Sequence, residues 1–176
     1  MANREALREL QTRLASRLQA ARSGDVSVAW LAVKAGESNY LFPLAQSGEI
    51  FPLTNVQVVP YCRQWFMGVV NLRGGLFGVV DLASFMSGGS TRGRTEQSLA
   101  ESSVITINSA LELNCALMVD GLAGLRKRDA FAGAEAPPEG SPVFFGTRFT
   151  DRDGAHWQEI NLQSLSQLPE FLSISA

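Results

Sequence analysis

Leu7, Leu10, Leu14, Leu18 and Ala21 recur at intervals of 3, 4, 4 and 3 in the first part of the chain. That spacing follows a 3.6-residue period and predicts an amphipathic helix over residues 3–22, ended by Ser23-Gly24. Its apolar stripe packs on the body of the protein in the plainest reading and serves as a docking helix in a sharper one. Beyond it the period changes to short apolar runs broken by Gly, Pro, Asn and Asp. Extended segments are expected at 26–33, 39–44, 48–53, 102–108, 111–120, 121–128, 143–150 and 157–160. Asp81 is placed to cap a single helical turn over 82–86, and a short helix over 162–168 stops at Pro169. Residues 87–98 and 133–142, rich in Gly, Ser, Thr, Arg and Pro, read as loops. The chain divides into a helical segment, 1–24, and one β-rich domain, 25–176.

The run from Gly68 to Leu82 carries the clearest local signal. Two apolar stretches flank Gly74-Gly75, as in a hairpin whose tight turn needs positive φ. Closure around those glycines sets Arg73 opposite Leu76 and gathers Val70, Leu72, Phe77 and Val79 on the other face. An arginine displayed at a rigid tip, its stem on leucine, suits protein recognition.

Composition narrows the function classes. The 176 residues are 45% hydrophobic and 18% charged, enough for one sizeable core, and the net charge of −2 gives no basis for nucleic-acid binding. No apolar run is long enough to span a membrane and no secretory leader is apparent, so a cytoplasmic protein is expected. Cys62, Cys115 and His156 are scattered, without metal-ligand spacing, and no nucleophile elbow accompanies the single histidine. Neither metal nor cofactor nor catalysis is expected. Gly88 to Thr95 approaches a phosphate-binding loop, but Arg94 stands where lysine is required and no strand leads into it.

With these residues on view, the chain resembles the CheW family of bacterial chemosensory coupling proteins. Asn71-Leu-Arg-Gly74, preceded by Gly68-Val-Val and followed by Val79-Val-Asp-Leu82, is similar to that family's hallmark hairpin. Tyr40-Leu-Phe-Pro-Leu44 with Gly48-Glu-Ile50, the 104–107 run and the 115–122 run resemble its other segments, over roughly residues 28–165. The resemblance implies a mainly β fold of two five-stranded β-barrel subdomains sharing a hydrophobic core, with the N-terminal helix and a short C-terminal helix added. It also implies a non-enzymatic adaptor joining a CheA-type histidine kinase to the cytoplasmic tip of a methyl-accepting chemoreceptor. The leading helix and the 60–65 stretch are similar to the type IV pilus-linked PilI branch, which implies twitching motility as an output.

Residue by residue, Arg73 matches the motif arginine implicated in partner contacts, and Glu49 the acidic residue of the Glu-Ile run. Gly68 matches the glycine that opens the hairpin, and Ser47 falls where the family often has an aliphatic contact residue. Plainer roles stand beside these: Arg73 lying along the barrel, Glu49 as an edge-strand charge, Gly68 allowing close strand packing. The alternative from another class is a ligand-sensing regulatory barrel whose interior is lined by Trp30, Phe42, Phe77 and Phe145.

Overall fold

The computed structural model describes residues 2–24, 28–89 and 93–176. It opens with helix α1 (Ala2–Gly24), followed by β1 (Val28–Ala35), β2 (Ser38–Pro43), a 3-10 turn (Leu44–Gln46) and β3 (Ser47–Pro52). A long connection leads to β4 (Phe66–Leu72), β5 (Gly75–Asp81), α2 (Leu82–Met86) and α3 (Glu96–Glu101). Then come β6 (Ser103–Ile107), β7 (Cys115–Val119), β8 (Gly121–Lys127), β9 (Phe131–Glu135), β10 (Phe145–Asp151) and β11 (His156–Ile160). Helices α4 (Leu162–Ser166) and α5 (Pro169–Leu172) complete it. The side chain of Ala21, the expected strand start at 26–27 and residues 90–92 of the expected loop lie outside the described residues.

Two sheets form, with strand orders β8-β1-β2-β11-β10-β9 and β3-β6-β7-β5-β4. The first has six strands rather than five, because β9 starts at Phe131, runs into the stretch expected to be loop and pairs with β10. Its outer strands, β8 and β9, are joined by only residues 128–130. A flat sheet would hold them about 24 Å apart, whereas that link reaches about 14 Å, so the sheet curls into a barrel. In the second sheet the outer strands share one core, since Phe51 of β3 packs against the cluster that holds Val70 and Leu72 of β4.

Alternation explains why so many strands are apolar throughout. Trp30, Ala32 and Leu41 point into the first barrel with Phe131, Phe149 and Trp157. Leu31, Val33 and Phe42, on the opposite faces of β1 and β2, join Ile105, Leu117, Val119 and Val80 in a core shared between the sheets. Val70, Val79, Val104, Ala116 and Met118 fill the second barrel. Strands buried on both faces need side chains that are apolar at every position. The four rings offered for a ligand-lined interior are dispersed by this layering: Trp30 lies in the first barrel, Phe42 and Phe145 with the shared core, Phe77 in the second barrel.

Helix α1 forms as its periodicity predicts and turns Leu14 and Leu18 into the shared core. The buried face is rotated from the expected stripe, because Gln11 is buried while Leu10 stays 42% exposed. Gln11 Nε2 donates to Ser103 Oγ at 2.6 Å, which compensates the amide's loss of water.

Candidate partner-binding site

The hairpin closes one residue earlier than the glycine pair suggested. Leu72 pairs with Gly75 and Val70 with Phe77, so the two turn residues are Arg73 and Gly74, at φ 50° and 80°. Both central positions of this turn type need positive φ, which Asn-Gly meets more readily than Arg-Gly. Asn71 supplies the help: its Oδ1 accepts the Gly74 N–H at 3.0 Å and ties the turn to the strand below. The change of register keeps the same side chains on the same faces, and Val70, Leu72, Phe77 and Val79 pack together as expected.

Arg73 therefore rests not on Leu76 but on β3. Its Nη1 lies 3.1 Å from Glu49 Oε2, and its guanidinium carbon sits 5.8 Å from the centroid of the Phe51 ring. The two charged side chains remain 72% and 48% exposed. Two residues singled out separately in the sequence, 24 positions apart, thus form one feature. They bridge the outer strands of the second barrel. An ion pair this exposed adds about 0–1 kcal/mol to stability. Holding a non-glycine residue in the left-handed region costs about 1–2 kcal/mol. The arrangement is not explained by fold stability, and it presents N–H donors, a carboxylate and the exposed Leu76 together. Beside Glu49 a cavity of 210 Å³ opens between Gly48, Phe77, Thr106, Leu113 and Asn114.

Gly68 and Ser47 are placed differently. Gly68 is buried at φ 137°, where an added Cβ would fall 2.1 Å from the Gln57 carbonyl oxygen. It clears the way for two main-chain bonds between Gln57 and Val69, at 2.8 and 2.9 Å. Ser47 is fully buried and its hydroxyl donates to the Pro43 carbonyl at 2.9 Å. Both support the backbone from within and offer no side chain to the surface of this structure.

A second constellation went unread in the sequence. Strands β5 and β7 run parallel, and Asp81 closes one while Asp120 follows the other. Arg94 spans them: Nε and Nη2 bond Asp81 at 2.9 and 2.7 Å, and Nη1 bonds Asp120. Asp81 also accepts the Ser84 N–H, the cap expected of it. Burial works against the Arg94 charge, but the bonds and charges of the two aspartates outweigh it and hold its pKa above the ordinary value. Residues 93–98 are accordingly no free loop, since Thr95 caps α3 by accepting from Ser98 N–H at 3.1 Å. Acid residues at two strand ends were visible in the sequence; their adjacency requires the parallel pairing.

His156 is exposed beside Thr150, 3.2 Å away, and burial pushes the Cys115 thiol up to about 12, where it is inert at neutral pH. Among the described residues no three His, Cys, Asp or Glu side chains are grouped to hold a metal. No described helix is long and apolar enough to cross a membrane.

Comparison with known proteins adds two findings. A family model described as a CheW-like domain matches residues 29–169, leaving α1 outside the matched span. Among solved structures the chain is similar to the scaffolding protein TtCheW from Thermoanaerobacter tengcongensis. The TM-score is 0.60 at 18% identity, over 77% of this chain and 89% of that one, a likeness of fold. No curated protein matches the chain.

Proposed function

From the premise that the chain belongs to the CheW-like domain family, we propose that it is a non-enzymatic adaptor. It couples a CheA-type histidine kinase to the cytoplasmic tips of methyl-accepting chemoreceptors and sits with them in membrane-bound receptor arrays. The observation that carries this reading is Arg73, an exposed guanidinium in a turn that disfavours arginine, with Glu49 beside it. A local rule broken without a gain in stability is expected at a functional position. The solved neighbour of similar fold is titled a scaffolding protein, which agrees with a role in assembly.

In this reading Arg73 and Glu49 are the contact residues. Gly68 and Ser47 act at one remove, by setting the backbone from which those two project. A planar guanidinium already restrained by Glu49 and Phe51 loses little freedom on engaging a carboxylate of the kinase or receptor. Glu49 then exchanges an internal arginine for a partner's cation, or shares its own.

Pull-down and titration of the cognate kinase and receptor provide the test. Arg73→Ala should cost about 2 kcal/mol of affinity, roughly thirtyfold in Kd. Arg73→Asn is the stricter variant, because asparagine suits the turn, so the guanidinium is lost without added backbone strain. Undiminished capture by a folded Arg73→Asn protein would overturn the assignment. The output, flagellar chemotaxis or type IV pilus twitching, is read from gene neighbourhood: pilus-type chemosensory genes beside this one support twitching.

A further inference from the structure

A cavity of 660 Å³ opens at the edge of the shared core, between the end of the 53–65 connection, α2, the segment before β10 and the α4–α5 corner. Trp65, Phe85, Met86 and Phe144 wall it, and the turn at Arg73 contributes nothing to its lining. The rings brace one another. Phe85 meets Trp65 edge to face at 5.1 Å and lies 6.1 Å from Phe144, while Phe171 stacks on Trp65 at 6.1 Å. Mutually packed rings make a preformed apolar wall, and the volume falls in the range of small-molecule sites. Buried tryptophans ordinarily donate their indole N–H, as Trp30 does to Glu159 and Trp157 to Asp151. Trp65 is only 6% exposed, yet its N–H donates to no described residue. Nor is Nε1 sealed off, since Ser84 Oγ is the described side-chain atom that is both fully covered and unpartnered. The N–H edge opens to the cavity beside Gly88-Gly89: a Cβ on Gly89 would lie 3.9 Å from Cδ1, the ring carbon bonded to Nε1. Arg63 and Glu170 line the same cavity with exposed side chains, and neither forms an ion pair with the other or with any described residue. The Arg63 N–H donates to the Ile174 carbonyl at 2.7 Å, which ties this rim to the chain just beyond α5, the helix bearing Glu170.

We infer that this cavity binds an aromatic zwitterion of amino-acid or dipeptide size. The ligand's ring packs on Phe85 and Phe144, its carboxylate accepts from the Arg63 fork and the Trp65 N–H, and its ammonium faces Glu170. A second carboxylate on the ligand would meet Glu170, so charge selects as well as shape. The site goes beyond the adaptor reading and does not rest on it.

Isothermal titration calorimetry of the full chain with L-phenylalanine and with glycyl-L-phenylalanine provides the test, the tighter of the two giving the ligand's size. Phenylacetate, which lacks the ammonium, and phenethylamine, which lacks the carboxylate, should each bind at least tenfold more weakly. Arg63→Gln and Glu170→Gln change exposed side chains and should leave far-UV circular dichroism unaltered while each lowers affinity for the zwitterion at least tenfold. Glu170→Gln should not weaken phenylacetate further, and Arg63→Gln should not weaken phenethylamine further. Trp65→Phe keeps a ring and removes the donor, and should lower affinity severalfold; the two exposed variants decide the matter where it fails to fold. No saturable heat from either zwitterion overturns the inference. So does binding that survives both exposed substitutions, or phenylacetate or phenethylamine binding as tightly as the zwitterion. The titrations contain neither kinase nor receptor, and Arg73→Asn should leave them unaltered, so failure here and failure of the adaptor reading are separable.

Discussion

Arg73 shows how much one side chain can reveal and how its neighbours remain hidden until the fold is known. Its exposure at a hairpin tip was legible in Arg-Gly-Gly between two apolar runs. Its support was not, because Phe51 and Glu49 reach it only when the second sheet curls and its outer strands share one core. Ser47 illustrates the reverse: matched as a contact position, it is covered by the protein itself. Asp151 was legible as a turn residue, and it accepts from Asp153 N–H and Ala155 N–H, both at 2.9 Å. The Trp157 indole also donates to it at 3.0 Å and is the largest cause holding its pKa below the ordinary carboxylate value. A lowered native pKa means that this stabilisation is complete above the unfolded pKa and is lost as pH falls through the native one. Urea midpoints of the unaltered chain and Asp151→Asn should therefore differ most near neutral pH and converge in acid.

At the scale of elements, the hairpin, the α2 cap and the β10–β11 turn were all written locally, in glycines and aspartates. The register was read one pair off because Gly74-Gly75 is the stronger turn signal until Asn71 is seen bonding Gly74. Strand β9 was missed because Gly-Ala-Glu carries little strand preference, whereas helix α3, made of good helix formers, is only six residues long and too short to show a period. Arg94, two residues before α3, is tied to Asp81 and Asp120. Its side chain is 14% exposed, against 13% for Asp81 and 33% for Asp120. Arg94→Ala leaves two adjacent, half-shielded carboxylates and should cost about 3 kcal/mol, measured by urea unfolding. Adding Asp120→Asn should restore part of that loss.

The molecule as a whole was legible only in part. Hydrophobic periodicity gave many short strands; the expectation of two barrels came from resemblance, because nothing in one strand states which sheet it joins. The shared core now makes a physical prediction. Leu117 is fully buried between the sheets, and Leu117→Ala should cost about 3 kcal/mol. Trp30 and Trp157 report on the first barrel and Trp65 on the shared core, so fluorescence and far-UV circular dichroism should trace one coincident denaturant transition. Separate transitions would mean that the barrels unfold independently. Gly68 extends this coupling to the hairpin. Because no side chain intervenes there, the 53–65 connection bonds β4 main chain to main chain, while Leu53 and Val56 also pack against the second barrel. Force applied at Arg73 is consequently shared with that strap, where Val58 and Tyr61 stand 76% and 90% exposed. Two main-chain bonds make the hairpin and the strap neighbours in one layer, so a load placed on either edge has a direct path to the other.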